Sequence, residues 1–430
     1  MRYEPAMTKN RTPRSGAPKR PGRPAGAKGA GAPDAKRRPE RQDGRDAARD
    51  PAKSEAGRER RFASKRPESS QRSQASDRSE APHRSESFER SGSRTDAARH
   101  AADAAPAPRL STEELGREGR RDRAAVEWPI GERPSFRAPV ILTVEPGADY
   151  ALLDSGDGEK LERYGSLTIR RPENQAIWPR RAGADWEGAD AVFTGDTDEE
   201  GTGRWRFPKD TLGETWPMRQ DGMPYLGRFT SFRHVGVFPE QAVHWRFMTD
   251  LVEKAGRPVR VLNLFGYTGL ASLLAARAGA EVTHVDASKR AIGWARENAE
   301  LAGLADKPIR WICEDAVRYA EREVKRGTRY DIVLLDPPKF GRGPKGEVWQ
   351  IFEDLPYLLM LMRQLLSADP LALVLTAYSI RSSFYSLAAL MGEQCRGLGG
   401  AIESGELVIR EAGDDARLLS TSLFSRWVSA

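Results

Sequence analysis

From residue 259 onward the sequence repeats one unit: a short apolar run, a turn, and a segment whose apolar residues recur every three to four positions. The runs fall at 259–264, 281–285, 310–313, 331–335 and 371–376, and the helical segments at 270–278, 288–304, 316–325, 354–366 and 383–395. Antiparallel strands can be joined by tight turns, but parallel neighbours need a crossover, usually a helix. Strand–helix alternation over this length therefore predicts a doubly wound, mostly parallel α/β sheet with helices on both faces. Ile332-Val333-Leu334-Leu335 has no polar alternation, as a strand covered on both sides requires. Gly279 ends the first helix, and the 354–366 helix is expected to be capped near Asp354, with Pro356 in its first turn. Two last runs, 406–410 and 421–427, have only a short connection. They add a closing antiparallel hairpin, which makes a Rossmann-like sheet of seven strands.

Upstream the character changes. Short β-like runs at 140–144, 150–153, 167–169 and 191–193 are separated by turn clusters such as Asp154-Ser155-Gly156-Asp157-Gly158. Trp178, Trp186, Trp205 and Trp216 lie among them and read as the filling of a small β-core. Only 38% of the 430 residues are hydrophobic, and the deficit is local. Before Leu110 the large apolar residues are Met1, Tyr3, Met7, Phe62 and Phe88. Such a stretch cannot offset its ordering entropy by burial and is expected to be disordered. The expected organisation is a basic disordered arm and linker at 1–124, a small β-rich domain at 125–232, and the α/β domain at 233–430.

Charge follows the same division. Residues 1–120 hold 29 Lys and Arg against 18 Asp and Glu, and the remainder holds 40 against 44. A basic arm points to a polyanionic partner such as RNA. Two cysteines exclude a disulfide framework and a cysteine-rich zinc site, and no metal site is expected. No apolar run is long enough for a membrane helix, and the start has no apolar secretory segment. A cytoplasmic location without membrane contact is the expectation.

Ligands of doubly wound sheets bind at the carboxyl ends of the strands. The first ends in Asn263-Leu264-Phe265-Gly266-Tyr267-Thr268-Gly269, whose glycines allow a tight turn against a ligand. The second ends at Asp286, twenty residues after Gly266, where a carboxylate can accept from ribose hydroxyls or support the next helix. The third ends at Glu314-Asp315, a candidate acceptor for an amino group or a helix cap. The fourth ends in Asp336-Pro337-Pro338-Lys339-Phe340. Two prolines stiffen this turn and bring no competing N–H, so Asp336 and the Pro338 carbonyl can act as fixed acceptors for a planar base. Phe340 can stack on such a base, and Lys339 can meet a nucleic-acid backbone.

With these residues, 261–340 resembles the class I S-adenosylmethionine-dependent methyltransferases. More narrowly, 140–430 is similar to the bacterial ribosomal-RNA methyltransferases that carry Asp-Pro-Pro-Lys-Phe, a group that includes 23S rRNA cytosine-carbon-5 enzymes. The resemblance implies S-adenosylmethionine as cofactor and RNA, with ribosomal RNA foremost, as partner. It implies that Phe265, Gly266, Thr268 and Gly269, with Asn263, lie along the methionine part, that Asp286 takes the ribose and that Asp315 takes the adenine. Asp336 would sit at the methyl-transfer centre. Phe238 and Gln241 look like the Phe–Gln pair that family members place over the cofactor. One departure matters. The carbon-5 enzymes carry a cysteine after strand five, where this chain has Thr376-Ala377-Tyr378-Ser379-Ile380-Arg381. Carbon 5 of cytosine needs a thiolate at carbon 6 before it can attack, whereas a base nitrogen needs no covalent help. Cys313 and Cys395 read as core cysteines. The expectation is methyl transfer to a base nitrogen by direct attack. The alternatives are a protein or small-molecule methyltransferase, or a non-catalytic RNA-binding relative.

Overall fold

The structure, a computed structural model, describes residues 125–195, 203–210, 212–378 and 380–430. The expected disordered arm at 1–124 lies outside the described residues. The strands in chain order are β1 (Ser135–Phe136), β2 (Val140–Val144), β3 (Tyr150–Gly156), β4 (Glu159–Tyr164), β5 (Leu167–Pro172), β6 (Ala191–Gly195), β7 (Gly203–Arg206), β8 (Thr215–Gln220) and β9 (Met223–Arg228). They continue with β10 (Arg260–Leu264), β11 (Glu281–Asp286), β12 (Ile309–Cys313), β13 (Ile332–Leu335), β14 (Phe340–Arg342), β15 (Val348–Gln350), β16 (Ala372–Tyr378), β17 (Ala401–Arg410) and β18 (Leu418–Val428).

The large sheet runs β1-β17-β18-β16-β13-β10-β11-β12, with β2 also on β17. Strands β16, β13, β10, β11 and β12 are parallel, and β18 enters antiparallel between β16 and β17. These seven are the strands of the expected sheet, including its closing hairpin. Beyond them, β1 and β2 pair parallel with β17 and extend the sheet to nine strands. The run at 140–144, expected in the small domain, is thus part of the large sheet. Ladder hydrogen bonds along the β17 edge outweigh nearness in sequence.

The helices Leu270–Arg277, Lys289–Leu301, Ala316–Lys325, Ile351–Leu365 and Phe384–Gln394 cover the faces. Ser288, Asp315 and Ser383 cap three of them, each accepting a backbone N–H. The Ile351–Leu365 helix starts earlier than predicted. Asp354 lies inside it and its Oδ2 accepts from Gln350 N at 2.5 Å, so Pro356 falls in the second turn.

Strands β3 to β7 form a separate five-stranded sheet, and β8–β9 a hairpin. Trp186 and Trp216 are buried, and Trp178 and Trp205 pack against the core. That core is continuous with the large sheet: Leu152, Tyr164 and Ile169 share one apolar cluster with Met248 and Val261. A buried ionic group reinforces the junction. Arg171 grips Glu162 at 2.5 and 3.0 Å and donates to the Arg233 carbonyl, while Arg233 reaches the Tyr378 hydroxyl. Burial alone would raise the Glu162 carboxyl, yet Arg171 and Lys160 hold it down to about 2.

Candidate active site

The strand order reverses between β10 and β13, which opens a crevice at the carboxyl edge. Register sets what stands there. Leu264 pairs with Leu335 on one side and Val285 on the other, and Leu335 also pairs with Leu375. The next residue of each strand therefore forms a row: Thr376, Asp336, Phe265, Asp286. Cys313 is paired with Asp286 and ends the row.

A cleft of about 550 Å³, open to solvent, lies over the Thr376, Asp336 and Phe265 part of this row. Seven of the expected residues line it: Phe238, Gln241, Asn263, Phe265, Gly266, Thr268 and Asp336. Phe238 and Gln241 arrive on the single turn Pro239–Gln241, and the Gln241 side-chain oxygen accepts from Thr376 Oγ1 at 3.2 Å. The loop after β10 is unusual in its backbone. Phe265 and Tyr267 have φ of 60° and 49°, in the left-handed region that non-glycine residues rarely adopt. Several bonds hold them there. Asp286 Oδ2 accepts from Tyr267 N at 2.9 Å, Thr268 Oγ1 donates to the Gly236 carbonyl at 2.7 Å, and Asn298 Nδ2 donates to the Thr268 carbonyl at 3.0 Å. Gly266 has no room for a side chain, because a methyl there would overlap the His284 ring.

The other expected residues stand outside the lining. Gly269 is the N-cap of the Leu270–Arg277 helix, and Asp286 supports the loop from below, with Oδ1 accepting from Ser288 N at 2.8 Å. Asp315 is buried and its Oδ1 accepts from Arg318 N at 3.0 Å. Pro338 and Lys339 are exposed and Phe340 is half-buried. The Pro338 carbonyl does not wait for a base: it accepts from Trp349 Nε1 at 2.7 Å. Cys395 is buried as expected, but Cys313 is exposed, because β12 is the outermost strand of the sheet.

Asp336 is the acidic residue among those that line the cleft. Burial, with Glu240 as a second influence, pushes its carboxyl up to about 7. Burial also raises Asp286 and Glu240. Deeper in the cleft, burial holds His244 neutral, down at about 3, and neither ring nitrogen has a hydrogen-bond partner among the described residues. Sequence reading missed Tyr267, Trp349, Glu240 and His244. For Tyr267 its place between Gly266 and Thr268 was a signal. The other three become visible only through tertiary contacts.

No group of three or more His, Cys, Asp or Glu among the described residues is placed to hold a metal, and no helix among them is long and apolar enough to cross a membrane. Residues 245–354 match the family described as conserved hypothetical protein 95. Ribosomal RNA large subunit methyltransferase I of Aeromonas salmonicida is 36% identical over 132 residues, covering 30% of this chain and 32% of that protein. Ribosomal RNA large subunit methyltransferase K of Neisseria meningitidis serogroup B is 26% identical over 225 residues, covering 50% and 61%. The chain spans less than two thirds of the length of these curated relatives. A solved structure of a SAM-dependent methyltransferase from Agrobacterium tumefaciens is 60% identical, with a TM-score of 0.69, over 71% of this chain and 98% of that one. Identity at that level extends across almost all of the solved protein, and the chain belongs to the class I S-adenosylmethionine-dependent methyltransferases.

Proposed function

We propose that the chain methylates a base nitrogen of RNA, with ribosomal RNA as the substrate, by direct attack and without a cysteine nucleophile. The RNA assignment is supported by the ribosomal-RNA methyltransferases among its relatives and by the basic composition of residues 1–120. The nitrogen assignment rests on one observation, the order of side chains along the carboxyl edge. Cys313 is three strands from Asp336 across β13, β10, β11 and β12. At the usual spacing between strands that is ~14 Å. A base held at Asp336 is out of reach of that thiol. Cys395 is buried in the Phe384–Gln394 helix cap, with its thiol pushed up to about 12 by burial, so it supplies no thiolate.

The residues fit the cofactor. Phe238, Phe265 and Tyr267 offer apolar walls, Gly266 lets the backbone approach closely, and Asp286 keeps free lone pairs beside its two backbone partners. In this reading Asp286 takes the ribose hydroxyls, Asp315 the adenine side, and Asn263, Thr268 and Gly269 shape the methionine side. When bound, S-adenosylmethionine supplies an electrophilic methyl group on a positively charged sulfur. Asp336 then orients the target nitrogen by accepting its N–H and takes up the proton that nitrogen gives away, a role suited to a carboxyl near 7. Phe340 stacks on the base and Lys339 meets the RNA backbone. A base in folded RNA must be unpaired or flipped out to enter the cleft.

Two measurements test this. Mass spectrometry of ribosomal-RNA nucleosides, with and without the protein, should show one base carrying a new N-methyl group. Incubation with RNA containing 5-fluorocytosine should give no stable crosslink. A crosslink lost on C313A or C395A would overturn direct attack. Methyl transfer to protein or to small molecules, with none to RNA, would overturn the substrate.

A further inference from the structure

The loop expected after Asp336 is an ordered hairpin. β14 and β15 pair antiparallel from Phe340↔Gln350 to Arg342↔Val348. Its turn is built from within: Gly343 N donates to the Glu347 carbonyl at 2.7 Å, and Lys345 N donates to Glu347 Oε2 at 2.9 Å. Gly346 takes φ of +87°, which only glycine adopts without strain. Its base is fastened to the reaction centre. Trp349 is buried, donates to the Pro338 carbonyl at 2.7 Å, and packs its ring 5.1 Å from that of Phe265. One side chain thus ties the hairpin to both the Asp336 turn and the loop after β10.

The charge of this hairpin is one-sided. Lys339, Arg342 and Lys345 are exposed, and the acidic residue between Phe340 and Gln350 is Glu347, which is buried and paired with Arg318 at 3.0 Å. Alternation along a strand puts Phe340 and Arg342 on one face. An aromatic ring beside a guanidinium is the pairing that stacks a base and grips its phosphate. An ordered backbone makes that grip specific in position, since the positions that carry the cations are tied to the Asp336 turn through Trp349.

We propose that the hairpin Phe340–Gln350 is a phosphate clamp, in which Arg342 and Lys345 hold the backbone of single-stranded RNA next to the base presented to Asp336. This rests on the RNA reading above. An acidic protein segment is the competing occupant. It lacks the regularly spaced phosphates and condensed counterions that distinguish a nucleic acid.

The test uses the full-length protein, total ribosomal RNA and the doubly substituted variant R342A/K345A. Affinity for RNA should fall roughly tenfold, and the slope of log affinity against log salt should become shallower by ~1.4, about 0.7 for each lost contact to a single strand. S-adenosylmethionine affinity should stay the same, which shows that the variant is folded. The charge-conserving variant R342K/K345R should regain most of the RNA affinity. Unchanged RNA affinity and salt slope in R342A/K345A, with the parent protein still methylating RNA, overturns the clamp alone. If the parent protein neither binds nor methylates RNA, the RNA reading itself falls. Methylation of an acidic protein that drops in the same variant assigns the hairpin to the competing occupant and overturns the proposal.

Discussion

Asp336 should make cofactor binding a proton-linked event. Its carboxyl is raised from 3.8 to about 7, which corresponds to on the order of 4 kcal/mol against the ionised form in the free protein. S-adenosylmethionine carries a positive sulfur, whereas S-adenosylhomocysteine has lost that charge and keeps the same amino and carboxyl groups. A cation beside Asp336 favours the carboxylate. The direction follows: below pH 7 the free protein holds a proton that must leave before the cation is well accommodated, and above pH 7 that proton is already gone. If the ionised form alone binds well, S-adenosylmethionine affinity should rise about tenfold from pH 6 to pH 8 and then level off. Affinity for S-adenosylhomocysteine should show no such rise. At pH 7 about half of the molecules are protonated, so binding should release about half a proton. Titration calorimetry in two buffers of different protonation enthalpy measures that proton directly. Comparing the two ligands cancels their shared amino group. In D336N the difference between the ligands should vanish, and turnover should fall ~100-fold if ~2.7 kcal/mol of transition-state stabilisation is lost. Equal proton release for both ligands, unchanged in D336N, would refute the placement of Asp336 at the sulfur.

Two further outcomes follow from the same geometry. Replacing Asp286 by alanine removes a charged acceptor worth ~1.5–3 kcal/mol and also frees the Tyr267 and Ser288 amides, so calorimetry should show weaker S-adenosylmethionine binding and thermal unfolding a lower midpoint. W349F keeps an aromatic ring against Phe265 but loses the bond to the Pro338 carbonyl; kcat should fall while cofactor affinity holds, and an unchanged kcat would show that the turn is rigid without it.

Much of the sheet was legible because its information is local. The core of β13 is a continuous apolar run and β10, β12 and β16 are largely apolar, three of the helices have a readable cap at Ser288, Asp315 or Ser383, and the closing hairpin has only a short connection. Strand ends then place Phe265, Asp286 and Asp336 together by topology alone. What escaped was set by tertiary contact. Nothing in Val140–Val144 says that its partner is Gly405–Ile409. The hairpin after Asp336 hides in Gly341-Arg342-Gly343-Pro344-Lys345-Gly346, a composition that reads as loop, and is ordered by Glu347 and Trp349. Cys313 follows Trp311-Ile312 and looked interior, yet an edge strand exposes its last residue. The Pro338 carbonyl looked free because its donor lies eleven residues further on.

The parallel pairing of β2 with β17 has a consequence for synthesis. Val140 must wait for Gly405, its partner 265 residues later in the chain. At ~5–20 residues per second that delay is roughly 13–50 s. During it the strand leaves one ladder of amides and carbonyls without its native partner, while the five-stranded sheet that follows it has all its own partners close at hand. Because closing so long a loop is slow, the smaller sheet has time to form first and the β17 edge is zipped last. The nascent chain is thus most open to aggregation or to a chaperone at β2, and the vulnerability ends when the C-terminal hairpin arrives.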